Sequence, residues 1–269
     1  MRVFIELSYD GTPFHGWQRQ PNALTVQEVI EAQLALFTGV QVPIMGCGRT
    51  DAGVHASYFV AHADWPEHSP KSKQYRDWSE AAWKLNGMLP KSIAIHRITE
   101  VSSTAHARFD ALERGYVYRM HTYKDPFLEG RSVRVMRETD FTAMQKAAQL
   151  LIRKDDFAAF CKAGSDQKST ICDVRYAELR EDVKEEQWTF EIRADRFLRN
   201  MVRAIMGTLF DVGQGRMNPE DILRVIQRGD RSEAGASAPG SGLYLNQVTY
   251  ADFKALPTKG FMKAAGDAN

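Results

Sequence analysis

Residues 41–63 read QVPIMGCGRTDAGVHASYFVAHA, and how they are parsed decides the fold. Gln41 to Cys47 and Val54 to Ala63 have the apolar, β-branched and aromatic character of strands, and the glycines between them mark a turn. Upstream, Val26, Ile30, Leu34 and Phe37 recur at helical spacing. This predicts a helix over Val26 to Thr38, with a capping box at Thr25 and Glu28 and a stop at Gly39. Arg2 to Tyr9 alternates as a strand before it. Downstream, Trp78 to Leu89 reads as a helix capped by Asp77 with Glu80 and ended by Pro90, and Ile93 to Val101 as a strand. The order β-α-β-β-α-β is that of the split-βαβ, ferredoxin-like unit.

The order recurs in the second half. Strands are predicted at Tyr116 to Tyr123, with an extra one at Ser132 to Met136, then at Ile171 to Arg180, Gln187 to Ala194 and Leu243 to Tyr250. Helices are predicted at Phe141 to Ile152, capped by Asp140, at Phe197 to Val212, and at Pro219 to Arg228 with Asn218 as cap. The expectation is an α+β chain of two pseudo-duplicated ferredoxin-like halves with antiparallel sheets, residues 1–105 and 106–250, around a central cleft, with a tail at 251–269. Asp10 to Leu24, Pro66 to Arg76 and the Gly- and Ser-rich run Gly235 to Gly242 read as loops, the last of them flexible. The tail beyond Leu256 has little apolar content and is expected to fray.

Composition narrows the class. Hydrophobic residues make up 43% and charged residues 26% of the 269, the balance of a soluble globular protein. No apolar run approaches a membrane span, and the N-terminus lacks a signal core. Three cysteines, Cys47, Cys161 and Cys172, without CxxC spacing disfavour a disulfide framework or a zinc site and point to a reducing cytoplasm. Net charge is only +1, but Ala105 to Arg137 holds seven Lys/Arg against four Asp/Glu, interleaved with Tyr116, Tyr118, Tyr123, His106 and His121. Basic groups with aromatic rings suit single-stranded RNA; a solvated strand edge blunted with charge has the same composition.

Two features carry chemistry. In Gly46 to His55, GCGRTDAGVH, three glycines let the backbone turn sharply, and Arg49 and Asp51 sit two residues apart on the turn. Asp51 facing a cleft and Asp51 bonding its own backbone in an Asx turn are both open on these residues. After Ala194, Arg196, Arg199 and Arg203 fall at i, i+3 and i+7 of the predicted helix. Arg203, amid Met201, Val202, Ile205 and Met206, needs a hydrogen-bonded anion; Asp51 is one candidate and any other carboxylate is another.

Further motifs run in order along most of the chain. Ser8 to Gln18 (SYDGTPFHGWQ) resembles the opening of the A-type tRNA pseudouridine synthases, the tRNA pseudouridine(38-40) synthases, and Gly48 to His55 (GRTDAGVH) is similar to their catalytic motif. Leu85 to Pro90 (LNGMLP), His106 to Phe109 (HARF), Asn200 to Arg203 (NMVR) and Gly242 to Leu245 (GLYL) resemble later segments of that family. Gly115 stands where the family commonly has a second basic residue, and Pro66 to Arg76 is longer than usual.

The resemblance implies an isomerase of tRNA, acting at anticodon-arm positions 38 to 40 in a homodimer. Asp51 would be the nucleophile, Arg203 its partner, and Tyr116 would lie against the uracil. Arg49 would hold the flipped nucleotide open, with RNA contacts from His106, Arg108, Phe109, Arg114, Lys168 and Leu243. The reaction oxidises nothing and needs no energy source, in keeping with the absence of metal, dinucleotide or P-loop motifs, so no cofactor is expected. A base must leave the stack to be reached. A non-catalytic tRNA-binding module or tRNA-folding chaperone is the competing class. An RRM lacks support because the RNP1 aromatics are missing, and a glycosidic hydrolase because no second acid stands in the motif.

Overall fold

The computed structural model describes residues 1–68, 77–165, 168–182 and 186–253. Most of the predicted Pro66 to Arg76 insertion, the tip of the charged hairpin and the tail beyond Leu256 lie outside the described residues. Strand β1 (Arg2–Tyr9) leads to helix α1 (Val26–Thr38), where the Thr25 side chain accepts from Glu28 N–H and Gly39 takes the left-handed φ of 82° that ends it. Strands β2 (Ile44–Gly46) and β3 (His55–Asp64) bracket the glycine-rich turn. β2 is shorter than its apolar run because Pro43 has no N–H to give a ladder. Helix α2 (Trp78–Met88), capped by Asp77, and strand β4 (Ile93–Glu100) complete the first unit.

The second half holds β5 (Ala111–His121), β6 (Val133–Arg134), α3 (Phe141–Gln149), β7 (Arg153–Asp156), β8 (Ile171–Asp182), β9 (Gln187–Ala194), α4 (Met201–Gly213), α5 (Asp221–Arg228) and β10 (Leu243–Tyr250). Three expectations are corrected. β7, sequence RKDD, was not expected: an edge strand blunted with charge has no apolar alternation to reveal it. α4 begins at Met201 rather than Phe197, because Asn200 adopts φ 67° and a left-handed residue interrupts a right-handed helix. Arg196 and Arg199 therefore precede the helix, and the three arginines do not form a helical stripe. α5 begins at Asp221, with Asn218 in the turn before it: Asp221 Oδ2 accepts from Asn218 N–H at 2.9 Å, the reverse of the expected cap.

All the described strands join one ten-stranded, mostly antiparallel sheet, in the order β4-β1-β3-β10-β5-β9-β8-β7, with β2 beside β3 and β6 beside β5. β3 and β10 meet in parallel, His55 opposite Tyr244 and Ala56 opposite Leu245. Two hydrophobic cores flank that seam. One gathers Ile5, Leu7, Trp17, Ile30, Leu34 and Phe59; the other gathers Tyr118, Met144, Phe190, Met206 and Leu209. Val54, at the end of the glycine-rich turn, belongs to the second core, while Ala56 belongs to the first. The turn carrying Asp51 thus lies where the two cores meet. Among the described residues, no helix is long and apolar enough to cross a membrane.

Candidate active site

Asp51 is held from behind by the segment between β1 and α1. Tyr9, at the end of β1, shares a buried hydrogen bond with Thr50 Oγ1 at 2.8 Å. Trp17 N–H donates to Thr50 O at 3.2 Å, and Gly53 N–H donates to Phe14 O at 3.3 Å. Gly16 has a φ of 92°, and a Cβ there would stand 2.5 Å from Thr50 O, so only glycine allows this approach. The Trp17 ring stacks on Phe59 at 4.1 Å, anchoring the segment in the first core. With the peptide groups of Thr50 and Gly53 held on either side, the Asp51 carboxylate is left one-third exposed, at 33%.

Arg203 reaches Asp51 from the other side of the seam, Nη1 to Oδ2 at 3.3 Å, with its side chain 23% exposed. Its Nε donates to Ala238 O at 2.7 Å, and Ala238 N–H donates back to Arg203 O at 2.9 Å. The run Gly235 to Gly242, expected to be flexible, is a fastened strap. Gly235 N–H donates to Thr208 Oγ1 at 2.8 Å, Tyr118 donates its hydroxyl to Pro239 O at 2.9 Å, and His55 Nε2 lies 3.1 Å from Ser241 O. Its small residues permit this packing: a Cβ on Gly207 of α4 would lie 1.6 Å from Ala236 O. His55 Nδ1 accepts from Gly11 N–H at 3.1 Å, although Asp10 Oδ1 is 3.2 Å away. Burial lowers the His55 pKa against the pull of Asp10, so the ring is neutral with its proton on Nε2.

The arrangement is a partly exposed carboxylate, fixed on both flanks and paired to a guanidinium. Residues 7–110 and 147–251 match the tRNA pseudouridine synthase family. The chain belongs to that family. It is similar to a tRNA pseudouridine synthase A of Porphyromonas gingivalis, 46% identical over 252 residues, covering 93% of this chain and 97% of the relative. The corresponding Bacteroides fragilis protein is 45% identical over 249 residues, covering 93% and 96%, and that of Brevibacillus brevis 40% over 253 residues, covering 93% and 99%. A pseudouridine synthase is an isomerase.

The other residues singled out from the synthase motifs divide by place. Tyr116 is half-buried and edge-on to Phe197 at 5.1 Å; burial above all pushes its hydroxyl pKa up, so it is a neutral phenol. Arg49 is exposed. Phe109 is 74% exposed yet ordered by its neighbours, its ring stacked on His106 at 4.2 Å with the Arg108 guanidinium 5.7 Å from the ring centre. His106 Nδ1 accepts from both Arg108 N–H and Phe109 N–H, which ties off the turn. Arg108 has its pKa lowered by burial and then by repulsion from Arg49, Arg114 and Arg196. Four guanidinium groups therefore crowd together on this side of the turn, a concentration of charge suited to polyanions.

The remaining three residues of that set stand in different surroundings. Lys168 is exposed in the bend ahead of β8. Leu243 is 5% exposed in the second core, opposite Tyr118, and so presents little surface. Arg114 donates to four carbonyl oxygens, those of Ala111, Asp195, Cys47 and Arg108. No sequence motif marks the strap or Asp195, whose carboxylate accepts from Asp173 N–H and Arg196 N–H. The signal for the strap was present in GASAPGSG, where small side chains mark close packing as readily as mobility.

Proposed function

We propose that the chain converts uridines of the tRNA anticodon stem-loop, at positions 38 to 40, into pseudouridine, with Asp51 as nucleophile. The observation that carries this is the pairing of Asp51, in the intact GRTDAG motif, with Arg203 across the seam. The guanidinium gives the carboxylate a fixed, charge-assisted hydrogen-bond partner while leaving its other oxygen open to the cleft. In the reaction the bond from ribose C1′ to uracil N1 breaks, a bond from C1′ to C5 forms, the C5 proton leaves and N1 gains one. Attack at C1′, attack at C6 and an initial proton abstraction all begin from the same carboxylate.

The target base must leave its stack, at a cost of a few kcal/mol. Arg49, exposed on the turn two residues before Asp51, fills the gap in this reading. The ring of Tyr116 gives the extruded uracil an apolar wall, and the exposed Arg108–Phe109 pair offers the neighbouring backbone a cation and a stacking face. The division into two ferredoxin-like halves around a cleft belongs to this reading. It is supported by a recurring strand order: β4-β1-β3-β2 on one side of the seam and β10-β5-β9-β8 on the other. A homodimer acting in the cytoplasm without a cofactor completes the proposal on family grounds.

The test is release of tritium from tRNA labelled at uracil C5. Formation of the C1′–C5 bond expels that atom, whereas a binding module or a hydrolase leaves it in place. Release without any added metal or cofactor is expected. None from any tRNA would return the chain to the class of binding modules.

A further inference from the structure

Arg114 is half-buried at the start of β5, and its guanidinium faces no carboxylate in hydrogen-bond range among the described residues. Its Nη1 donates to Ala111 O at 2.9 Å and to Asp195 O at 3.0 Å. Its Nη2 donates to Cys47 O at 3.1 Å and to Arg108 O. A guanidinium has five N–H donors in a planar fork, so this pattern leaves little with which to grip a phosphate.

The four carbonyls come from different places. Cys47 is the base of the Asp51 turn, just after β2. Arg108 is in the turn that presents Phe109. Ala111 opens β5, and Asp195 starts the segment from β9 to α4, which carries Arg203. The Asp195 carboxylate is itself fixed by Asp173 N–H and Arg196 N–H. One planar group therefore sets the spacing of the nucleophile's turn, the exposed cation and aromatic, and the approach to the nucleophile's partner.

We propose that Arg114 is a positioning residue, which fixes the RNA-gripping turn at 106–110 relative to Asp51 through backbone carbonyls and makes no phosphate contact. The proposal rests on the reading of Asp51 and of that turn given above. Its consequence is a separation of effects. Without Arg114, tRNA is still gripped by the exposed arginines, but the extruded uridine is presented to Asp51 at a shifted distance. A displacement of about 1 Å at a reacting centre costs on the order of a hundredfold in rate. Lysine cannot substitute, since a single ammonium with three donors cannot span four carbonyls as a planar fork does.

Arg114→Lys and Arg114→Gln separate the possibilities, each compared with wild type on one C5-tritiated tRNA. Single-turnover release at saturating protein is expected to fall at least tenfold in both. The Kd for tRNA should stay within about threefold, and the salt dependence of Arg114→Gln should match wild type. A salt slope lower by about one unit in Arg114→Gln, with the rate preserved in Arg114→Lys, would identify a phosphate contact and overturn the proposal. Unchanged rates in folded variants would reduce Arg114 to a structural role and overturn it equally. If neither variant folds, modification of the wild-type protein by phenylglyoxal decides. Arg49 and Arg108 should react quickly and be protected by tRNA, while Arg114 reacts slowly with or without it. Fast modification of Arg114 that tRNA suppresses would refute the assignment. Absence of tritium release by wild type would refute the reaction itself, and the modification pattern would still decide the role of Arg114.

Discussion

The two sides of the Asp51–Arg203 pair are held in place by different means. Behind Asp51 stand large side chains: Tyr9 bonded to Thr50, and Trp17 stacked on Phe59 in the first core. Behind Arg203 the tightest contacts run between backbones, with the Thr208, Tyr118 and His55 side chains fastening the strap. Gly207 and Gly235 bring α4 and the 235–242 strap into backbone contact, and the Ala238 carbonyl takes the Arg203 Nε. Burying aromatic rings fixes a segment through apolar area and tolerates small adjustments. Backbone-to-backbone packing tolerates none, because neither peptide can turn aside. The Asp51 side, where a Cβ on Gly16 would stand 2.5 Å from a backbone oxygen rather than the 1.6 Å met at Gly207, should therefore be the more forgiving of the two.

Adding one methyl group to each side puts this to work. Gly207→Ala places a Cβ 1.6 Å from Ala236 O, and the strap must move as a body. A loss of about 4 kcal/mol of stability is expected, at the upper end of single substitutions, with C5 tritium release from the folded fraction down at least a hundredfold. Gly16→Ala meets Thr50 O at 2.5 Å with a φ of 92°, and a smaller loss of about 2 kcal/mol is expected. Chemical melts with release assays on both variants check the order. If Gly207→Ala is the milder change, the comparison is broken.

Arg203→Lys sharpens the same contrast without disturbing the backbone. The guanidinium serves Asp51 and Ala238 O together, which a single ammonium does poorly. Turnover is expected to fall about tenfold to a hundredfold, a loss of about 1.4 to 2.7 kcal/mol in transition-state stabilisation, with melting little altered. Arg203→Ala should lose more on both counts, because it leaves the carboxylate unpaired. Near-normal turnover by both variants would remove the pairing from the mechanism.

The smallest expected effect concerns His62 of β3, beneath the 106–110 turn, whose Nδ1 accepts from Ala107 N–H at 3.1 Å. Burial first, then the His106 and Arg2 charges, lower its pKa to about 4. Unfolding returns it to about 6.5, so the unfolded chain takes the proton first. The stability from this site is present above about pH 6.5 and is lost as pH falls towards about 4. Urea melts across that window should show a shallower acid loss in His62→Asn, with a residual slope from His55, whose pKa is lowered too. An unchanged slope would show that His62 is not the group titrating.

Much of this fold is legible in local chemistry. Thr25 with Glu28 and Asp77 with Glu80 mark helix starts that the structure reproduces, because a cap is decided within four residues. β9 and β10 fall on their predicted bounds because their apolar character stops where the strands do. Local patterns fail where tertiary contacts decide. Phe197 sits at helical spacing from Met201, yet its ring belongs to Tyr116 and the helix waits for Asn200. The strap reads as a linker because composition does not distinguish small residues that move from small residues that pack. The charge of Arg114 is plain in the sequence, but the four carbonyls around it are not. At the site, Asp51 and Arg203 were both nameable, and only the fold could bring them to 3.3 Å across 152 residues of chain.

The most direct test of the account is Asp51→Asn, assayed for C5 tritium release and for tRNA binding on the same preparation. Asparagine keeps the size of the side chain and its ability to serve a turn, but it removes the charge and the nucleophilic oxygen. The expected result is a folded protein that binds tRNA about as tightly as wild type and releases tritium only at background. Release at or near the wild-type rate would contradict the account, because a carboxylate at Asp51 would then be dispensable to the chemistry.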